Sequence, residues 1–86
     1  MKVTVADLVG KKFEIVAFIE GDKNAYYGAK IGDVITVGKG DHFPNSVWAL
    51  QSENPGVFTD PEWAEFEQLC LAGDVTEFMS FFKEVV

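Results

Sequence analysis

The rhythm of hydrophobic and polar positions changes once along this chain, near residue 60. Before that point apolar residues come in short runs with turn residues between them, the pattern of strands. The stretch Phe13–Glu20 is the strongest, rich in β-branched and aromatic side chains. Phe13, Ile15, Ala17 and Ile19 fall on one face, and Val16 and Phe18 make the other face apolar too. A strand covered on both sides near its middle is expected. Asp7-Leu8-Val9-Gly10 reads as a turn or a single helical turn, and Gly21-Asp22-Lys23-Asn24 as a turn. Tyr26 and Tyr27 precede Gly28–Asp33, a tight turn leading into a second strand, Val34–Val37. A Gly-, Pro- and Asn-bearing loop over 38–45 separates it from a third strand, Ser46–Gln51, with Trp48 and Leu50 on one side. Asn54-Pro55-Gly56 is a turn, and Val57-Phe58 a short strand.

Beyond residue 60 the spacing becomes helical. Asp60-Pro61 combines an N-cap acid with proline at the first helical position. Trp63, Phe66, Leu69 and Cys70 then share one helical face, and Gly73 is placed to close the helix. Asp74 and Glu77 fit a capping box for a last helix whose main face is Val75, Phe78, Met79, Phe82 and Val86. The expected fold is a single α+β domain: a small antiparallel β-barrel over 1–59, then a two-helix hairpin over 60–86. At 86 residues there is no room for a second core.

Four stretches carry a resemblance to a known family. Ala17-Phe18-Ile19-Glu20 is similar to the alanine-hydrophobic-aromatic-acid pattern that ends the first strand of Src-homology-3 domains. Gly32-Asp33-Val34-Ile35-Thr36-Val37 resembles the end of their diverging turn and the strand that follows. Trp48 stands where a tryptophan opens the next strand. Gly56-Val57-Phe58-Thr59-Asp60-Pro61-Glu62-Trp63 resembles the glycine, hydrophobic pair and short helical turn that come last. The resemblance spans 14–63 and implies a small Src-homology-3-like barrel. The family's ligand tyrosines are absent after Ala17, where Ile19 and Gly21 stand, so only Trp48 matches a ligand position.

Charge divides the chain as the rhythm does. Residues 1–43 hold six Lys and six acids, whereas 44–86 hold one Lys and eight acids, which accounts for the whole net charge of −7. All seven basic residues are Lys. Without the forked donor of arginine, and with this acidity, direct contact with nucleic acid or an anionic membrane is not expected. A basic protein surface is the natural long-range partner. The single cysteine allows no internal disulfide, and Met1–Asp7 holds no signal-peptide run, so a reducing cytoplasm is expected.

Catalytic chemistry is poorly supplied. One His and one Cys offer neither a nucleophile–base pair nor a metal-ligand set, and Gly38-Lys39-Gly40 lacks phosphate-loop spacing. No enzyme activity, cofactor or metal is expected; His42 reads as a loop residue and Cys70 as a small buried hydrophobe. The candidates for partner binding are the aromatics Tyr26, Tyr27, Phe43 and Trp48, and the acids Glu62, Glu65 and Glu67. Phe81 and Val85 join them as apolar residues surplus to the last helix's main face. Competing readings are barrel packing for the aromatics, helix-end stabilisation for acids such as Glu62, and burial of the last helix. The expected function is that of a protein–protein interaction module, in the manner of small accessory proteins of bacteria or phages that inhibit or modulate a larger protein. Two alternatives are an acidic mimic of nucleic acid and a structural subunit, which includes a homodimer.

Overall fold

The structure, a computed structural model, describes residues 3–21, 26–40, 45–63 and 66–85. Its elements in chain order are α1 (Val5–Leu8), β1 (Lys12–Ile15), β2 (Val34–Gly38), β3 (Val47–Leu50), β4 (Gln68–Ala72), α2 (Val75–Phe81) and β5 (Phe82–Glu84), with 3-10 turns at Ile19–Gly21, Gln51–Glu53 and Pro61–Trp63. The five strands form one antiparallel sheet in the order β4-β3-β2-β1-β5. The fold is mixed α+β, as the sequence indicates.

The sheet is open rather than closed into a barrel: β4 and β5 stand at its two edges. The expected helical hairpin is also replaced. Residues 68–72 form β4, and the C-terminal helix ends at Phe81, where the chain turns extended (φ −131°, ψ 144° at Phe82) and joins the sheet as β5. Residues 60–86 thus supply two strands of the sheet that β1–β3 began.

The reasons lie in short apolar runs that fit both periods. Leu69 and Leu71 alternate around Cys70, which is strand spacing, and pairing with β3 satisfies the backbone directly. Asp60-Pro61 starts only one 3-10 turn, in which the Asp60 carboxylate accepts the Glu62 N–H at 2.9 Å. Gly73 links β4 to α2 instead of capping a helix. Its N–H donates to Glu77 Oε2 (3.1 Å), while Asp74 Oδ1 accepts the Glu77 N–H (2.7 Å). The expected capping box is therefore present, with its return bond shifted to the residue before the cap.

β1 is shorter than its apolar run. At Val16 the chain leaves the strand, and the Val16 and Ala17 N–H groups both donate to the Phe81 carbonyl (2.9 and 3.2 Å). Val16 is exposed, which corrects the expectation of a strand covered on both faces. Val57 ends the turn at 54–57 and Phe58 follows it outside any strand, with Phe58 buried.

The core lies on one side of the sheet. It gathers Phe13 and Ile15 of β1, Ile35 and Val37 of β2, Val47 and Ala49 of β3, and Leu69, Leu71 and Ala72 of β4 under Leu8, Tyr26, Phe58, Phe78 and Phe82. Phe78 packs edge-on to Phe13 (4.8 Å between centroids) and stacks on Phe82 (4.4 Å), so α2 and β5 are fixed by the same aromatic cluster.

One polar side chain completes the sheet. β2 and β3 pair only at Val37–Ala49 and Gly38–Trp48. Beyond that pair the buried Asn54 amide lies against β2: it accepts the Thr36 N–H (2.6 Å) and donates to the Thr36 and Leu50 carbonyls (3.2 and 2.7 Å). A carboxamide carries the same donor and acceptor as a peptide group, so it continues the ladder where the backbone leaves it. The turn after it holds the amide in place. Pro55 and Gly56 (φ 78°) occupy its two central positions, closed by Val57 N–H to the Asn54 carbonyl at 3.3 Å.

Candidate interaction surface

The structure separates the residues that sequence singled out. Trp48 points away from the core cluster, on the outer face of β3, where it pairs across the sheet with Gly38 and Cys70. It is nonetheless only 9% exposed, because the backbone at Gly40 lies directly on its indole; a Cβ there would collide with the ring. Trp48 is therefore covered by its own chain rather than presented to a partner. Tyr26 belongs to the core, in contact with Phe82 (centroids 5.3 Å) and Phe18 (6.1 Å), with its hydroxyl donating to the Leu71 carbonyl at 3.3 Å. Burial pushes its pKa up to about 12.

Tyr27 is half-buried and adopts a left-handed backbone (φ 46°), the one non-glycine residue among those described to do so. Its carbonyl accepts the Asp60 N–H at 3.1 Å, and at Gly28 a Cβ would strike Thr59. The turn at 26–29 is thus pressed against the start of the acidic segment. That segment, 59–67, joins the 3-10 turn after β3 to β4. Glu62 and Glu67 are exposed on it, and so is Phe66, at 54% the most exposed large apolar residue among those described. Sequence reasoning placed Phe66 on a buried helix face. Its position between two glutamates, Glu65 and Glu67, is the signal that favours solvent.

Phe43 and Glu65 lie outside the described residues, as do Asp41 and His42. Phe81 is half-buried and packs against the core, whereas Val85, just past β5, is 43% exposed. The two surplus apolar residues of the expected helix therefore have different fates, because one ends α2 and the other follows a strand. Cys70 is also corrected. It projects from the outer face of edge strand β4 and is exposed, with Sγ 3.4 Å from the Ala72 carbonyl. Desolvation at the sulfur raises its thiol pKa.

Two further surfaces were not legible in sequence. An open groove of about 790 Å³ runs between the N-terminal segment and α2, with Val3, Val5, Val75 and Met79 as its apolar lining and Asp74 among its polar residues. The second is the outer face of β5-β1-β2, where Lys12, Glu14, Val34 and Lys83 are exposed. Among the described residues no three His, Cys, Asp or Glu side chains gather as metal ligands, and no helix is long and apolar enough to cross a membrane. Comparison of the chain with known protein families, with characterised proteins and with solved structures returns no match.

Proposed function

We propose that this protein is a non-enzymatic interaction module that binds a basic protein surface through its acidic 59–67 segment. The observation that carries the reading is Phe66, exposed on the same short segment as Glu62 and Glu67. An aromatic anchor supplies buried area on contact, and carboxylates beside it select and steer a cationic partner. The segment is held at both ends. The Asp60 N–H donates to the Tyr27 carbonyl at 3.1 Å, and the Glu67 carbonyl accepts the Gln51 N–H at 2.8 Å.

The scaffold reads best as an open relative of the Src-homology-3 barrel, with binding moved away from the family's tryptophan. The order of elements supports this: Gly32-Asp33 leads into β2, Trp48 lies in β3, and Gly56-Val57-Phe58 precedes the 3-10 turn at Pro61–Trp63. A single exposed thiol suits a reducing compartment such as the cytoplasm.

The reading is tested by retrieving partners from native lysate with wild type, Phe66→Ala and Glu62→Gln/Glu67→Gln, after each variant is shown to keep its Tm. A basic partner held by wild type and lost by both variants supports the site. A partner held equally by all three refutes it.

A further inference from the structure

The two edges of the sheet end it differently. At β5 the edge is three residues long, two of them charged (Lys83 and Glu84), and the Phe82 N–H already donates to the Phe78 carbonyl. At β4 the edge is five residues, Gln68-Leu69-Cys70-Leu71-Ala72, with no charge and no proline. Brevity, charge and proline are the devices that keep a sheet edge from pairing with another chain, and β4 lacks all three.

Hydrogen bonding fixes which backbone groups of β4 meet that edge. Along an antiparallel ladder, successive residues turn their N–H and C=O to one neighbour and then the other. The Glu67 carbonyl accepts the Gln51 N–H that follows β3, so residues 67 and 69 face β3. The Leu50 carbonyl, opposite Gln68, is turned away from β4 onto the Asn54 amide beside β2 (2.7 Å). Both observations set the same alternation, and Gln68 and Cys70 direct their backbone away from β3. Past them the register shifts, and the Tyr26 hydroxyl takes the Leu71 carbonyl at 3.3 Å, which closes that end of the edge. Cys70 is exposed, and among the described residues no strand pairs with it on the open side.

Such an edge is completed by extended backbone, and its surroundings select the side chains. Carboxylates stand at both ends of β4. Glu67 is exposed immediately before it; after it come Asp74 and Glu77, whose Oε2 accepts the Gly73 N–H at 3.1 Å. The one basic residue of 44–86, Lys83, is on the opposite edge of the sheet. We propose that β4 receives an extended segment of a partner protein as a sixth strand, uncharged along Gln68–Cys70 and basic at both flanks. A second copy of this chain fits poorly, since two β4 edges paired across a two-fold bring Glu67 of one copy next to Asp74 of the other. The proposal rests on the reading of a basic partner and adds how that partner is held; it makes no use of Phe66.

Amide exchange and shift mapping by NMR test this. The probe is a capped seven-residue peptide of alternating threonine and valine with a lysine at each end. In the protein alone the Leu69 amide is protected and the Cys70 amide exchanges freely. On titration to about 1 mM peptide at about 0.05 M salt, the Cys70 amide shifts and becomes protected. Glutamates in place of the two lysines abolish this. Methylating alternate peptide nitrogens, in one of the two registers, weakens binding about tenfold or more, because the ladder bonds are lost. Cys70→Pro removes the outward N–H while leaving the bonds to β3, and it loses the peptide; should it unfold, the methylated peptides carry the same test. A Cys70 amide already protected in dilute protein, no shift at β4, or equal binding by every methylated peptide overturns the proposal. Protection that rises with protein concentration in the absence of peptide overturns it in favour of a second copy. If the peptide fails while Phe66→Ala still loses a basic partner from lysate, the proposal falls and the parent reading stands. If the peptide adds to β4 while Phe66→Ala and Glu62→Gln/Glu67→Gln retain every lysate partner, the 59–67 site falls and the edge stands.

Discussion

Asn54 offers the most direct test of how this sheet is held. Asn54→Ala removes an amide that makes three hydrogen bonds to β2 and the end of β3 while 3% exposed. A net hydrogen bond contributes about 1 kcal/mol, and a buried group left unpaired costs about 1–3 kcal/mol. Water admitted by the smaller side chain re-pairs some of these groups, so a loss of about 3 kcal/mol is expected. That is a large part of the roughly 4–13 kcal/mol typical of a domain this size. It corresponds to a fall in Tm of roughly 12–24 °C. Asn54→Asp is the sharper variant. It keeps shape and the acceptor for Thr36 N–H but sets a carboxylate oxygen against the Thr36 and Leu50 carbonyls. At neutral pH it is expected to be no more stable than Asn54→Ala. The folded state favours the protonated carboxyl, whose O–H donates to one carbonyl. The penalty is therefore absent below the unfolded carboxyl pKa and appears as pH rises through the folded one. Urea unfolding at about pH 7 and pH 3.5 measures both effects, each variant read as its difference from wild type at the same pH, with an unchanged slope confirming that the same surface unfolds. A loss below about 1 kcal/mol for Asn54→Ala, or an Asp variant equal to wild type at neutral pH, would refute the ladder-completing role.

Tyr26, held neutral up to about pH 12, is expected to give a late phenolate absorbance step in a Tyr27→Phe background; its stabilisation is intact below the unfolded tyrosine pKa near 10 and lost as pH rises from there toward 12. A phenolate step near 10 in the folded protein contradicts that. Gly40→Ala forces the chain off the Trp48 indole, and a cost of about 1–3 kcal/mol with a red-shifted Trp48 emission in a Trp63→Phe background is expected. An unshifted spectrum and Tm would show that Gly40 is not the lid of that ring. Native Cys70 should react fully with a small thiol reagent without unfolding, but with a rate midpoint above that of a free thiol. Protection until denaturation would restore the buried reading.

What could be read in advance divides by how far apart the deciding contacts lie. Turns were legible because their chemistry is local: Gly21, Gly28, Gly32 and Gly56 all take positive φ where the sequence reads as a turn. The cores of β2 and β3 and the Asp74–Glu77 cap followed from residues within four of one another. The β4 segment did not. Leu69, Cys70 and Leu71 satisfy either period over five residues, and pairing with β3, about twenty residues away, tips the balance. Phe82 likewise suits the helix face by spacing, yet it enters the sheet because β1 offers an unpaired edge and Phe78 and Tyr26 pack on the ring. The site suffered most. Tyr26 and Trp48 read as surface aromatics, yet one is core and the other lies under Gly40.

These displacements bear on function through where the chain leaves apolar surface uncovered. A domain of 86 residues needs most of its aromatics inside, and Phe13, Tyr26, Phe58, Phe78 and Phe82 are there. Phe66 is 54% exposed, so Phe66→Ala is expected to cost less stability than truncation of a core ring such as Phe78. Among the exposed valines, Val34 owes its exposure to strand alternation in β2, whereas Val16 lies past the end of β1 and Val85 past the end of β5.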